Sequence, residues 1–300
     1  MIPLISSLCY GPIGYCQLPR LWWKALLEAH GLLDPEYPAC SQMLDSWLLE
    51  GLKIPEESFL GFIASERPNY LACEKWVAEN AGRKPDALTR DCWNELIRTR
   101  IHRPAKFHFL PESIGLKAAP DLMSAVVLNH LEDWHWFYVR DFRNTDWKSG
   151  TVIPLISTLD YGRLGVCQLP RTWLKVILEA RGWLHPDYPG CGNGLDAKVL
   201  KVLNLDREKT VAYLKTELPS YMGFERWIRK QTSGSFDRPA IEEWNRYLRQ
   251  REHGPEKQKS IGDFLGLAET DRPTSAVVLN HLEDWEFAHR ALVASGGVGR

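Results

Sequence analysis

The sequence lacks most of the marks by which a chain discloses its chemistry. No two of its seven cysteines stand as Cys-x-x-Cys, and no Cys/His group has zinc spacing. An odd cysteine count in a long chain argues against a disulfide framework and for reduced thiols. No glycine-rich phosphate cradle is present. Tyr10-Gly-x-x-Gly14 lacks both the third glycine and the strand-to-helix setting of a dinucleotide fingerprint. No long Lys/Arg run occurs and the net charge is -1, so there is no electrostatic footprint for nucleic acid or an anionic membrane. No apolar run reaches the roughly 18 residues of a membrane span. Met1-Ile-Pro-Leu-Ile5 lacks the charged region and apolar core of a signal peptide, which makes the cytoplasm the expected compartment. Sustained period-two alternation is missing too, and this directs the fold away from sheets.

What the sequence does contain is a repeat. Ser124-Ala-Val-Val-Leu-Asn-His-Leu-Glu-Asp-Trp134 recurs letter for letter as Ser275–Trp285, and residue n answers to n+151 without a gap. Each copy opens with Ile-Pro-Leu-Ile-Ser (2–6; 153–157), then Tyr-Gly-x-x-Gly (10–14; 161–165) and Cys-Gln-Leu-Pro-Arg (16–20; 167–171). The organisation expected is a first repeat over 1–143, a linker at 144–151, a second repeat over 152–292 and a flexible tail at 293–300. Each repeat is long enough for its own core. The fold class expected is mainly α, as two homologous helical domains packed with pseudo-two-fold symmetry.

Pro19 suits the first turn of a helix that ends at Gly31, and its copy ends at Gly182. Helices are expected over 54–64 and 205–214, around Trp76 and around the Trp93-Asn94 and Trp244-Asn245 pairs. Polar links lie at 80–85 and 231–239. The repeated eleven-residue stretch starts a helix marked by Pro120 in one copy and Pro273 in the other. Thirteen tryptophans, eight of them in matched pairs such as Trp22/Trp173 and Trp134/Trp285, point first to core packing and second to an aromatic platform for a ligand.

Several repeated positions are similar to the bacterial family catalogued as domain of unknown function 5069. They are Gly14-Tyr15, Leu18-Pro19-Arg20-Leu21, Lys24-Ala25, Tyr37, Cys40, Leu44-Asp45, and Trp93-Asn94 with Arg98 and Arg100. The second copy carries Gly165, Leu169-Pro170-Arg171, Lys175, Tyr188, Cys191, Leu195-Asp196, and Trp244-Asn245 with Arg249 and Arg251. It departs at Val166, where the first copy keeps Tyr15. Members are single units of this length, so the chain resembles two of them fused. The resemblance implies a cytoplasmic bacterial protein whose fusion mimics a homodimer, and no activity.

On a helical wheel the repeated stretch places Leu128 and Leu131 on one side and Val126, His130, Asp133, Trp134 and Phe137 on the other, the pattern of a buried helix. His130 and Asp133, and likewise His281 and Asp284, stand at i and i+3. They read either as a general base oriented by its carboxylate or as a buried histidine satisfied by a neighbour. Asn129/Asn280 and Glu132/Glu283 either line a site or meet solvent. Cys16 and Cys167, just before a helix, are possible nucleophiles if the helix terminus lowers their pKa, and small buried residues if it does not. Arg20/Arg171 either pair with Asp45/Asp196 or clamp a substrate anion. Tyr10 and Tyr161 either bind a ligand or cap their own turn. With Trp134 and Trp285 these arginines and tyrosines form the expected substrate-binding set.

No metal and no cofactor are expected, with His102/His253 and His108 only distant candidate ligands. The expected partner is a small molecule, with neither nucleic acid nor membrane, for a monomer with an internal pseudo-dimer or a homodimer. The leading expectation is an enzyme of the non-redox lyase, isomerase, cyclase or hydrolase type, acting by acid-base chemistry beside His130 and His281. The alternative is a non-catalytic binding or scaffolding module.

Overall fold

A computed structural model describes residues 1–82, 86–117, 119 and 122–294. Part of the polar link at 80–85, the Pro120 helix start and the tail from 295 lie outside the described residues. In chain order the helices are α1 (Leu18–Ala29), α2 (Leu44–Leu52), α3 (Glu56–Glu66), α4 (Tyr70–Asn80), α5 (Ala87–Thr99), α6 (Pro104–Ser113) and α7 (Ala125–Trp136). There follow α8 (Leu169–Ala180), α9 (Leu195–Val202), α10 (Arg207–Glu217), α11 (Tyr221–Gln231), α12 (Arg238–Gln250), α13 (Pro255–Leu265) and α14 (Ala276–Ala294). Among the described residues there is no strand, only three isolated β-bridges. The mainly helical expectation therefore holds.

The helix ends follow local chemistry. Pro19 and Pro170 occupy the first turns of α1 and α8, and Gly31 and Gly182 take φ of 67° and 70° just past their ends, where an L side chain would be strained. Asn69, Ser124 and Ser220 accept the free backbone N–H groups at the starts of α4, α7 and α11. Beyond Trp136 the backbone winds into a π-turn over Phe137–Phe142, whereas α14 runs on as an α-helix to Ala294.

The chain divides into two compact bodies, and they do not follow the repeats. One gathers Met1–Thr99 with Glu252–Gly299, and the other is Arg100–Arg251. The expected linker at 144–151 falls inside the second body. In the first body α14, from the second repeat, packs on α4, from the first; in the second body α7 packs on α11. The repeats have exchanged their C-terminal thirds.

Each body is centred on the same aromatic cluster. Tyr70 meets Trp285 edge-on at 4.5 Å and Trp22 at 5.4 Å. In the second body Tyr221 meets Trp134 at 4.6 Å and Trp173 at 5.5 Å. The indole N–H of Trp22 donates to the buried Pro68 O at 3.0 Å, and that of Trp173 to the half-buried Pro219 O at 2.9 Å. Such edge-to-face contacts add about 0.5–1.5 kcal/mol per pair beyond area burial. All four tryptophans are buried, so core packing accounts for Trp134 and Trp285, which the sequence also suited to a substrate.

Candidate functional site

Capped by Ser124, α7 turns His130 inward, where the ring is 2% exposed. Its Nδ1 lies 2.9 Å from Tyr161 O, and the ring stacks on Trp134 one turn along at 5.1 Å. A carbonyl only accepts, so Nδ1 carries the proton. Nε2 lies 3.4 Å from Asp160 Oδ1 yet makes no hydrogen bond, so the two are in electrostatic contact without alignment. The other oxygen of Asp160 accepts from Ser157 N at 2.9 Å. On α14, His281 repeats the arrangement: Nδ1 lies 3.1 Å from Tyr10 O and the ring stacks on Trp285 at 5.0 Å. Asp133 and Asp284 are buried on the same helices as these histidines, and Asp160, from outside α7, brings a carboxylate against His130. Asp160 carried no sequence signal because the aligned residue of the first repeat is Cys9. Tyr10 and Tyr161 serve the histidines through their backbone carbonyls, and their rings stand edge-on to the imidazoles at 6.2 and 5.9 Å.

A second polar cluster is built on Asp45 in the first body and Asp196 in the second. Asp45, fully buried on α2, accepts from Lys24 Nζ at 2.5 Å, Gln17 Nε2 at 2.6 Å and Ser41 N at 2.8 Å. Burial pushes this carboxyl up, but the Lys24 ammonium and the hydrogen bonds outweigh it and hold the group below the usual range. Asp196 repeats this with Lys175 at 2.5 Å, Gln168 at 2.9 Å and Thr172 Oγ1 at 2.7 Å. The partner of Asp45 is thus Lys24, one turn on from Arg20. Arg20 instead donates to Pro3 O and Ile5 O at 2.9 and 2.8 Å, and Arg171 to Pro154 O and Ile156 O at 2.6 and 2.9 Å. Both arginines tie the Ile-Pro-Leu-Ile segment to its helix. Gln17 and Gln168 hold φ of 73° and 72°, and their Oε1 atoms are buried with no hydrogen-bond partner. Flipping either amide would set its oxygen against a carboxylate, so the donor side stays on the aspartate.

No known family, curated protein or solved structure matches the chain. Its chemistry is therefore read from its own groups.

The third cluster escaped the sequence reading, although Tyr-x-x-x-Glu stands at both 70–74 and 221–225. Tyr70 Oη donates to Glu74 Oε1 at 2.6 Å and Tyr221 Oη to Glu225 Oε1 at 3.0 Å. Burial pushes each glutamic carboxyl up to about 7, against the hydrogen bonds that favour the ion.

Cys16 and Cys167, the candidate nucleophiles, are buried free thiols. Cys16 and Cys167 donate their thiols to Leu8 O at 3.5 Å and Leu159 O at 3.3 Å. Burial pushes both thiols up to about 12. Cys92 is exposed. A neutral thiol reagent on the native protein at pH 8 is expected to label about one site quickly, Cys92 by peptide mapping, with Cys16 and Cys167 reacting only on unfolding. Rapid loss of either buried thiol would contradict their assignment.

Two further positions find partners. Asn129 meets His102 Nε2 at 3.0 Å and Asn280 meets His253 Nε2 at 2.8 Å, so these asparagines brace neighbouring segments. His102 is held down to about 4 by burial and then by Lys106 and Arg100. Trp93 Nε1 donates to Cys16 O at 2.9 Å, while Asn94 accepts from Cys16 N and donates to Gly14 O at 2.9 and 2.8 Å, which explains the repeated Trp-Asn pair. Among the described residues no group of three His, Cys, Asp or Glu is placed to hold a metal, and no helix is long and apolar enough to cross a membrane.

Proposed function

We propose that this chain is a non-catalytic binding or scaffolding module, built as two fused units of the kind found in the domain of unknown function 5069 family. The observation that supports this reading is the burial of His130. Its Nδ1 donates to Tyr161 O, and its Nε2, without a hydrogen bond, is sealed in the core 3.4 Å from the buried Asp160. A general base must offer a nitrogen within hydrogen-bond reach of a substrate proton. His130, 2% exposed and stacked on Trp134, is placed as a brace between α7 and the turn at 160–164. A small ligand in the cytoplasm is the partner proposed.

His130→Gln and His281→Gln separate the readings. As braces, each is expected to lower stability by about 1–3 kcal/mol, the range for a disrupted buried hydrogen bond, seen as a fall in Tm. A small-molecule library screened by thermal shift and checked by NMR is expected to yield ligands recovered unchanged. A compound converted by the wild type but not by either variant, with Tm intact in both, would restore the acid-base reading.

A further inference from the structure

The Tyr-Gly-x-x-Gly turns are held at both ends. In the first body His281 Nδ1 donates to Tyr10 O at 3.1 Å, Ile13 N donates to Glu74 Oε2 at 3.4 Å, and Gly14 N closes the turn onto Gly11 O at 3.0 Å. In the second His130 Nδ1 donates to Tyr161 O at 2.9 Å, Leu164 N to Glu225 Oε1 at 3.2 Å, and Gly165 N to Gly162 O at 3.1 Å. The backbone lies directly on the acid: a Cβ on Gly11 would come within 2.4 Å of Glu74 Oε1 and 2.3 Å of the Tyr70 ring. At Gly162 both distances are 2.5 Å, to Glu225 and Tyr221. Only glycine allows that approach, and it leaves no space for water to solvate an ionised carboxylate unless the turn moves.

We propose that Tyr70–Glu74 and Tyr221–Glu225 are twin pH-sensitive latches, which hold these turns most tightly in acid and loosen them as the solution approaches neutrality.

The charged and titratable surroundings fit this role. Around Glu74 stand Tyr70 and Cys73 on its own helix, Cys9 from the segment before the turn, and His281 from α14 acting on Tyr10 O. Glu225 faces Tyr221 and Arg229 on its own helix, Arg163 in the turn and Cys167 after it, with His130 and Asp160 on the turn's far side. Neither carboxylate has an arginine or lysine within ion-pair distance among the described contacts, and the two arginines act on Glu225 only at longer range. Burial therefore dominates, and each closed latch binds its proton more tightly than an open one, with carboxyls at about 7 against an ordinary 4.5. The extra hold is complete below pH 4.5, declines through the window between, and is gone above 7. The latch does not depend on what the chain binds.

Amide hydrogen exchange at Ile13 and Leu164, followed by NMR from pH 5 to 8, tests it. In wild type, exchange is expected to rise about tenfold per pH unit beyond ordinary base catalysis up to pH 7, and to follow base catalysis alone above that. In Glu74→Gln and Glu225→Gln, whose amides stay neutral, the extra rise at the matching turn should vanish. Wild-type exchange that tracks base catalysis throughout overturns the latch, as does the same extra rise in both variants. If a variant does not fold, the carboxyl carbon shifts of Glu74 and Glu225 in the wild type decide instead. Midpoints near 7 support the latch, and midpoints near 4.5 overturn it.

Discussion

Asp45→Ala is expected to destabilise the first body by about 3–5 kcal/mol, the range for removing one partner of a buried ion pair. Lys24 is 3% exposed, and without Asp45 its ammonium keeps only Pro38 O, at 3.0 Å. Gln17 Nε2 and Ser41 N lose their acceptor in the same step. The double variant Lys24→Met/Asp45→Leu is expected to recover much of the loss, because removing both charges also removes their desolvation penalty. Denaturant titrations followed by tryptophan fluorescence measure both. A loss under about 1 kcal/mol for the single variant would mean that Lys24 reaches water when unpaired, contrary to its burial. Asp196→Ala should behave alike in the second body, where Thr172 keeps only Gln168 O at 3.1 Å.

Trp285→Ala should cost about 3–5 kcal/mol as a large-to-small change in a sealed core. Its location makes it informative. Trp285 belongs to the second repeat by sequence, yet its ring packs on Tyr70 at 4.5 Å and faces Trp22 at 6.4 Å, both in the first repeat. Hydrogen exchange after Trp285→Ala should therefore show protection lost across α1, α3 and α4, with α8, α10 and α11 largely spared. Trp134→Ala should give the reverse. Protection lost within the mutated repeat instead would mean that each repeat folds on its own helix and that the exchange of C-terminal segments does not occur.

Much of this fold is legible in the sequence, because proline and glycine signals at helix ends act locally. The start of α1 at Pro19 and its end before Gly31 follow from two residues. Matched tryptophans likewise read as core. The path of the chain between bodies is not legible: α7 and α14 begin with ten identical residues, so sequence alone is silent on which wall either one meets. Contacts that come from elsewhere in the chain are not legible. An i, i+3 spacing places Asp133 near His130 on one helix, and the Asp160 carboxylate reaches the same ring from a loop 30 residues on. Arg20 and Lys24 lie on one helix face, and only the structure selects Lys24 for Asp45. Glu74 was overlooked because a lone acidic residue in an amphipathic helix resembles a solvated one; its burial depends on Gly11 letting the backbone lie against it.

The exchanged thirds also bear on heredity. In a plain tandem array each copy is free to drift, since the other can carry the load. Here neither copy has a spare: the wall built by residues 1–99 is completed by a helix encoded almost 180 codons after it. A change in one copy's wall is answered, or not, by the other copy's helix. The identical stretches Ser124–Trp134 and Ser275–Trp285 thus each complete a wall supplied by the other copy.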